Sequence, residues 1–228
     1  MAGTGFIGWD YLADSLVNLS NLQFSTERHG EGGYLKEILE VGDSYFLSGY
    51  ALSSYNAECM TIYMRKDGSF NTSYNGVGYL FLEPEPGYNY LIKDLLRRDD
   101  KMYLTLETNG ILHQNHLMVL PVDTNGSVDS PWYYSYSGLE CSSRFLIDDN
   151  GSFYMGGFVK DQANGVAGFD SDRFHVIRTD HWGTVIPSFG NGGVFSEDMG
   201  TGDELGAEDA ALNGSQMVLA GYMNNMVA

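Results

Sequence analysis

Apolar residues come in runs of four to ten along this chain, and each run is fenced by Gly, Asn or Asp. The clearest series is YNYLIKDLLR (88–97), KMYLTLE (101–107), HLMVLPV (116–122) and WYYSYS (132–137). Asp99-Asp100, Thr108-Asn109-Gly110 and residues 123–126 separate each run from its successor. Short runs rich in β-branched and aromatic side chains between turn-formers predict strands. LIKDLLRR alone has helical spacing, but its counterpart LECSSRFLI (139–147) has none, so the pattern predicts a strand at both places.

The runs repeat. SYFLSGY (44–50), KMYLTLE (101–107), SFYMGGF (152–158) and MVLAGY (217–222) each come after a turn signal, at Gly42-Asp43, Asp99-Asp100, Asn150-Gly151 and Asn213-Gly214. With Gly49, Leu106, Gly157 and Gly221 as equivalent points, the spacings are 57, 51 and 64. A second motif recurs between them. KDGSFNTSYNGVGYL (66–80) and HWGTVIPSFGNGGVF (181–195) share Gly-Ser/Thr, then Ser-aromatic, then Gly-x-Gly and an apolar pair. TNGSVDSPWYYSYS (124–137) starts the same way and loses the Gly-x-Gly, and NLQFSTERHGEGGYL (21–35) is a worn copy. Four short strands per period of this length suit one propeller blade. The predicted fold is therefore all-β: a β-propeller of about four four-stranded blades, forming a single domain over residues 1–228. The repeat units are 36–87, 88–138 and 139–200, with 201–228 plus 1–35 forming a shared blade. Pairing of N- and C-terminal strands would close the ring and hide the two sheet edges an open stack leaves unpaired.

The strings LSGY … YMRKDGSFNTSYNGVGY (47–79) and MGGF … HVIRTDHWGTVIPSFGNGGV (155–194) resemble the delta-60 repeat family, a bacterial β-propeller repeat. Two units match well and two are degraded, so the resemblance covers most of the chain. It implies four-stranded blades and an extracellular or cell-surface protein, and it brings no catalytic motif. The chain departs from the family at Trp132-Tyr133-Tyr134, which replaces the expected Phe-Gly-x-Gly turn.

Composition narrows the function classes. The 29 glycines and the 16 Tyr and 12 Phe suit tight turns and strands rather than helices. Twelve Lys and Arg against 30 Asp and Glu give a net charge of −18, which argues against a nucleic-acid-binding surface. No apolar run approaches the ~20 residues a membrane span needs, so no membrane insertion is expected. MAGTGFIGWD (1–10) has neither a basic nor an apolar stretch of the kind a signal peptide carries. Two cysteines exclude a disulfide scaffold, and Cys59 and Cys141 read as free buried thiols in strands.

Candidate chemistry is sparse. Asp67-Gly68, Asn125-Gly126, Asn150-Gly151 and Asn213-Gly214 read as hairpin turns. Asp123, Asn125, Ser127 and Asp129 alternate as calcium ligands do, but Gly126 and Tyr134 stand at the wrong loop positions for an EF-hand, so no metal site is assigned. The acidic stretch 197–209, with six carboxylates, reads as a solvated loop between two blades. The five histidines form no metal-binding run, no serine sits in a nucleophile elbow, and no cofactor is implied. The best site is aromatic: Trp132, Tyr134 and Tyr136 share one strand face, with Tyr133 on the other, and Trp182 invites the same reading. Such side chains either bind a ligand such as a sugar ring or pack between blades.

These features predict a non-enzymatic binding or structural-assembly module that uses propeller faces for protein–protein interaction at a bacterial surface or virus particle. Unpaired blade edges would make it a homo-oligomer. A carbohydrate-binding propeller is the first alternative, marked by exposed aromatics beside carboxylates. A glycan hydrolase is the second, marked by carboxylates converging on the axis.

Overall fold

The computed structural model describes residues 33–52, 57–82, 88–110, 116–135, 139–161, 171–198, 203–214 and 216–225. Among them are fourteen strands and no helix. The first sheet is a meander of β1 (Gly33–Val41), β2 (Ser44–Leu52), β3 (Ala57–Arg65) and β4 (Tyr79–Leu82). The second contains β5 (Tyr88–Arg98), β6 (Lys101–Gly110), β7 (His116–Asp123) and β8 (Trp132–Ser135). The third contains β9 (Leu139–Asp149), β10 (Ser152–Asp161), β11 (Ser171–Asp180) and β12 (Val194–Asp198). A two-stranded sheet of β13 (Asp203–Asn213) and β14 (Gln216–Asn225) comes last. Every pair is antiparallel. The protein is thus all-β, built of antiparallel sheets in a propeller-like arrangement.

Turn chemistry sets the registers. Val41 pairs with Ser44, Arg98 with Lys101 and Asp149 with Ser152, so the first two strands of each sheet join through two residues. Gly42 (φ 63°), Asp99 (φ 56°) and Asn150 (φ 45°) supply the left-handed backbone such turns require. In the last sheet Asn213 still pairs with Gln216, so it belongs to the ladder and the turn starts at Gly214.

Sheets stack face to face in chain order, so the middle strands are buried on both sides and read as nearly continuous apolar runs. Met102, Leu104 and Leu106 of β6 pack with Phe46 and Cys59 of the first sheet. The intervening Tyr103 packs with Phe153, Met155 and Ile177 of the third. Tyr154 and Val176 then face Ala210, Leu212, Met217 and Leu219 of the last sheet. Cys59 is a free thiol buried in the first of these layers, where burial pushes its pKa up. Loss of one large apolar side chain from these layers would cost about 2–5 kcal/mol.

Two sequence expectations need correction. Tyr34 and Leu35 pair with Tyr50 and Gly49, so they lie in the first sheet, not in a blade shared by the chain ends. Much of the stretch 197–209 is strand and not loop: β12 runs to Asp198 and β13 starts at Asp203, while 199–202 lie outside the described residues. Acidic residues and glycine are poor strand formers, but β13 is held by its ladder to the apolar β14 and by packing on the third sheet. The rest of the proposed closing segment, residues 1–32, lies outside the described residues.

Candidate functional site

The first strand of each sheet carries a β-bulge, at Lys36, Lys93, Arg144 and Glu208. Each bulge lies eight residues before the start of the next strand. The residues just after the bulges are Glu37, Asp94, Phe145 and Asp209, so three of the four equivalent positions hold a carboxylate. Two of them, Glu37 and Asp94, are pushed up. Burial, then the charge of Asp94 and that of Asp209, raises the Glu37 pKa to about 7, with Lys36 opposing. Burial is also the main cause that raises Asp94, against two backbone hydrogen bonds. Those bonds define its role: the Leu95 amide donates to Asp94 Oδ1 at 2.7 Å and the Leu146 amide to Oδ2 at 2.6 Å. Asp94 thereby ties β5 to β9 of the next sheet.

The loops between third and fourth strands make a different feature. Phe70, Val128 and Val185 form equivalent isolated bridges to β3, β7 and β11. After Phe70 the chain makes an eight-residue excursion before β4, and after Val185 it makes another before β12. After Val128 only three residues precede β8. Each long excursion folds an aromatic ring back onto its sheet. Tyr74 is fully buried, with its hydroxyl 2.5 Å from Thr61 Oγ1, and Phe189 packs edge-on against Tyr154 at 5.3 Å. The first excursion also bridges to the second sheet, where the Asn75 amide donates to the Asn125 carbonyl at 2.8 Å beside Gly126.

The second sheet lacks this loop, and two aromatic side chains take over the bridge. Gly183 in the third sheet is the counterpart of Gly126, with φ of 83° against 89°. The Trp132 ring rests on it, leaving no room for a side chain: a Cβ there would stand 2.5 Å from Cγ and Cδ2. The Tyr134 hydroxyl donates to the Gly183 carbonyl. Burial, helped by the charge of Asp180, pushes that hydroxyl up to about 12, so it remains a donor near neutral pH. Trp132 also stacks on Phe153, with centroids 6.2 Å apart and planes 16° apart. Its Nε1 is buried without a hydrogen-bond partner.

Where the loop is missing, a half-open groove of about 640 Å³ lies between the second and third sheets. Trp132 and Tyr103 line its inner wall, Asp99, Asp100 and Asp129 its rim, and His181 and Trp182 the facing turn. Trp182 is 73% exposed, and its ring lies 4.4 Å from that of His181. The Asp180 carboxylate holds this turn by accepting hydrogen bonds from the amides of Trp182 (2.9 Å) and Thr184 (2.8 Å).

The structure thus brings Trp132, Tyr134 and Trp182 to one boundary, with different tasks. Trp132 and Tyr134 are half-buried and join the sheets, while Trp182 is offered to solvent. Tyr133 is 62% exposed, on the opposite strand face as alternation requires. Tyr136 lies outside the described residues. Of the alternating series at 123–129, Asn125 serves its own turn, its Oδ1 accepting the Ser127 amide at 2.8 Å, while Asp123 and Asp129 pair with Lys101. Among the described residues no His, Cys, Asp or Glu cluster is placed to hold a metal ion. Sequence reading missed Asp99, Asp100, Asp129 and His181 as groove residues, and Glu37 and Asp94 as carboxylates just after the bulges. For this pair a signal existed in the Lys36-Glu37 and Lys93-Asp94 dipeptides, at equal distance from the next hairpin. Compared with known proteins, the chain matches no family model and no curated sequence.

Proposed function

We propose that this chain is a non-enzymatic binding module that takes a carbohydrate in the groove between its second and third sheets. The observation that carries this reading is the pairing of an exposed indole, Trp182, with the rim carboxylates Asp99, Asp100 and Asp129. An indole face packs against the apolar face of a sugar ring, and carboxylates accept its hydroxyl hydrogen bonds. The groove falls within the usual ~300–1,000 Å³ of ligand sites. Fold supplies no function by itself, so the reading stands on these side chains. Trp182→Ala should weaken glycan binding at least about tenfold by calorimetry while leaving stability within ~0.5 kcal/mol, since its ring is outside the core. Undiminished binding of the same glycan would refute the assignment.

In the finer reading of the fold, the sheets are blades of a four-bladed ring. The last blade is completed by strands from residues 1–32, and the protein works at a bacterial surface, as the delta-60 resemblance suggests. A second reading, assembly with a protein partner or another copy, is favoured by β14. Among the described residues it pairs only with β13, and Val218 is 58% exposed on the face away from the third sheet. Light scattering separates the two: a monomer fits ring closure, whereas a dimer or polymer fits edge pairing.

A further inference from the structure

We infer that the glycan this groove takes is an amino sugar with free ammonium groups, such as an unacetylated glucosamine oligomer. The inference rests on the carbohydrate reading and adds the charge of the ligand. The two permanently charged bases in the groove, Arg98 and Lys101, are already neutralised. Lys101 Nζ lies 3.2 Å from Asp123 and bonds Asp129 as well. Arg98 pairs with Asp148 at 2.9 Å, and its guanidinium sits over the Phe153 ring at 5.8 Å. The acids of the β5–β6 turn are not neutralised in this way. Asp99 approaches Arg98 only at 3.9 Å, its side chain is 86% exposed, and Asp100 has no counter-ion among the described residues. The turn is shaped by the left-handed conformation of Asp99 (φ 56°), whose carbonyl accepts the Arg97 Nε at 3.0 Å.

Two exposed carboxylates, Asp99 held only by its long pair with Arg98 and Asp100 without a counter-ion among the described residues, therefore share a groove with an exposed indole. A cation over an indole face is attracted by the ring quadrupole, and a neighbouring carboxylate adds a charge-assisted hydrogen bond. A neutral sugar offers these carboxylates only uncharged hydroxyl donors, and an acidic sugar would be repelled by Asp99 and Asp100. The chain's net charge of −18 also raises the local concentration of cations.

The test is calorimetry on the full chain with chitosan, chitin and cellulose oligomers of one length, at a pH where the chitosan amines are protonated. Chitosan should bind about tenfold tighter than the other two, and the advantage should shrink as salt is added. The double variant Asp99→Asn, Asp100→Asn should bring the three ligands level. Asn tolerates the left-handed turn, so this variant keeps the backbone geometry. Equal affinity of the native chain for all three, or an undiminished preference in the double variant, would overturn the amino-sugar inference while leaving the carbohydrate reading in place. Binding of none of the three would remove both.

Discussion

Replacing Gly183 with alanine perturbs the boundary between the second and third sheets at its tightest point. The backbone there has φ of 83°, a conformation that costs a non-glycine residue about 1–2 kcal/mol. The added methyl carbon would stand 2.5 Å from two indole carbons of Trp132, where about 3.5–4.0 Å is comfortable. The indole must retreat by roughly 1 Å from its stack on Phe153, an overpacking penalty of about 1–3 kcal/mol. The two effects together give a destabilisation of about 2–5 kcal/mol. Gly192→Ala is the matched control. Its φ is 65°, and a Cβ there would meet nothing within 4 Å, so only the backbone penalty of about 1–2 kcal/mol applies. Urea unfolding monitored by tryptophan emission measures both, with an unchanged m-value as the check that stability alone has moved. If the two variants lose equal stability to within ~0.5 kcal/mol, Trp132 does not bear on Gly183.

Two further outcomes are expected. Glu37 has a folded pKa of about 7 against 4.5 for a free Glu, so the folded state holds the extra proton and gains stability as pH falls through that interval. Glu37→Gln should therefore be more stable than the native chain at pH 8 and equal to it near pH 4. The difference should reach about 1–2 kcal/mol, reduced from the full linkage value because the carboxyl is still partly solvated. A difference that does not change between those pH values would refute the raised pKa of Glu37. Tyr74→Phe leaves the fully buried Thr61 hydroxyl without its partner and should cost about 1–3 kcal/mol in the same urea assay. A loss under ~0.5 kcal/mol would show that the hydroxyl pair adds nothing.

Much of the strand plan was legible because its determinants are local. Short apolar runs between turn-formers gave β6 and β7, left-handed turn-formers gave the hairpins at Gly42, Asp99 and Asn150, and strand alternation gave the two faces of β8. The same alternation placed Trp132 and Tyr134 opposite Tyr133. Local pattern misled at β13, whose acidic sequence reads as loop. The strand exists through its ladder to β14 and its packing on the third sheet.

The site was legible as residue types and not as a place. By itself the sequence determined that Trp132-Tyr133-Tyr134 interrupts a turn motif and that Trp182 sits in a neighbouring one. Only the stacking of sheets decided that the interruption opens a groove, that Trp132 closes on Gly183, and that Trp182 faces outward across from Asp99 and Asp100. Likewise, Glu37 and Asp94 are 57 residues apart in sequence, yet the charge of Asp94 helps raise Glu37 because both follow equivalent bulges in neighbouring sheets. Backbone conformation is written over a few neighbouring residues, whereas charge repulsion, aromatic contact and cavity shape depend on distances that exist only once the sheets have packed.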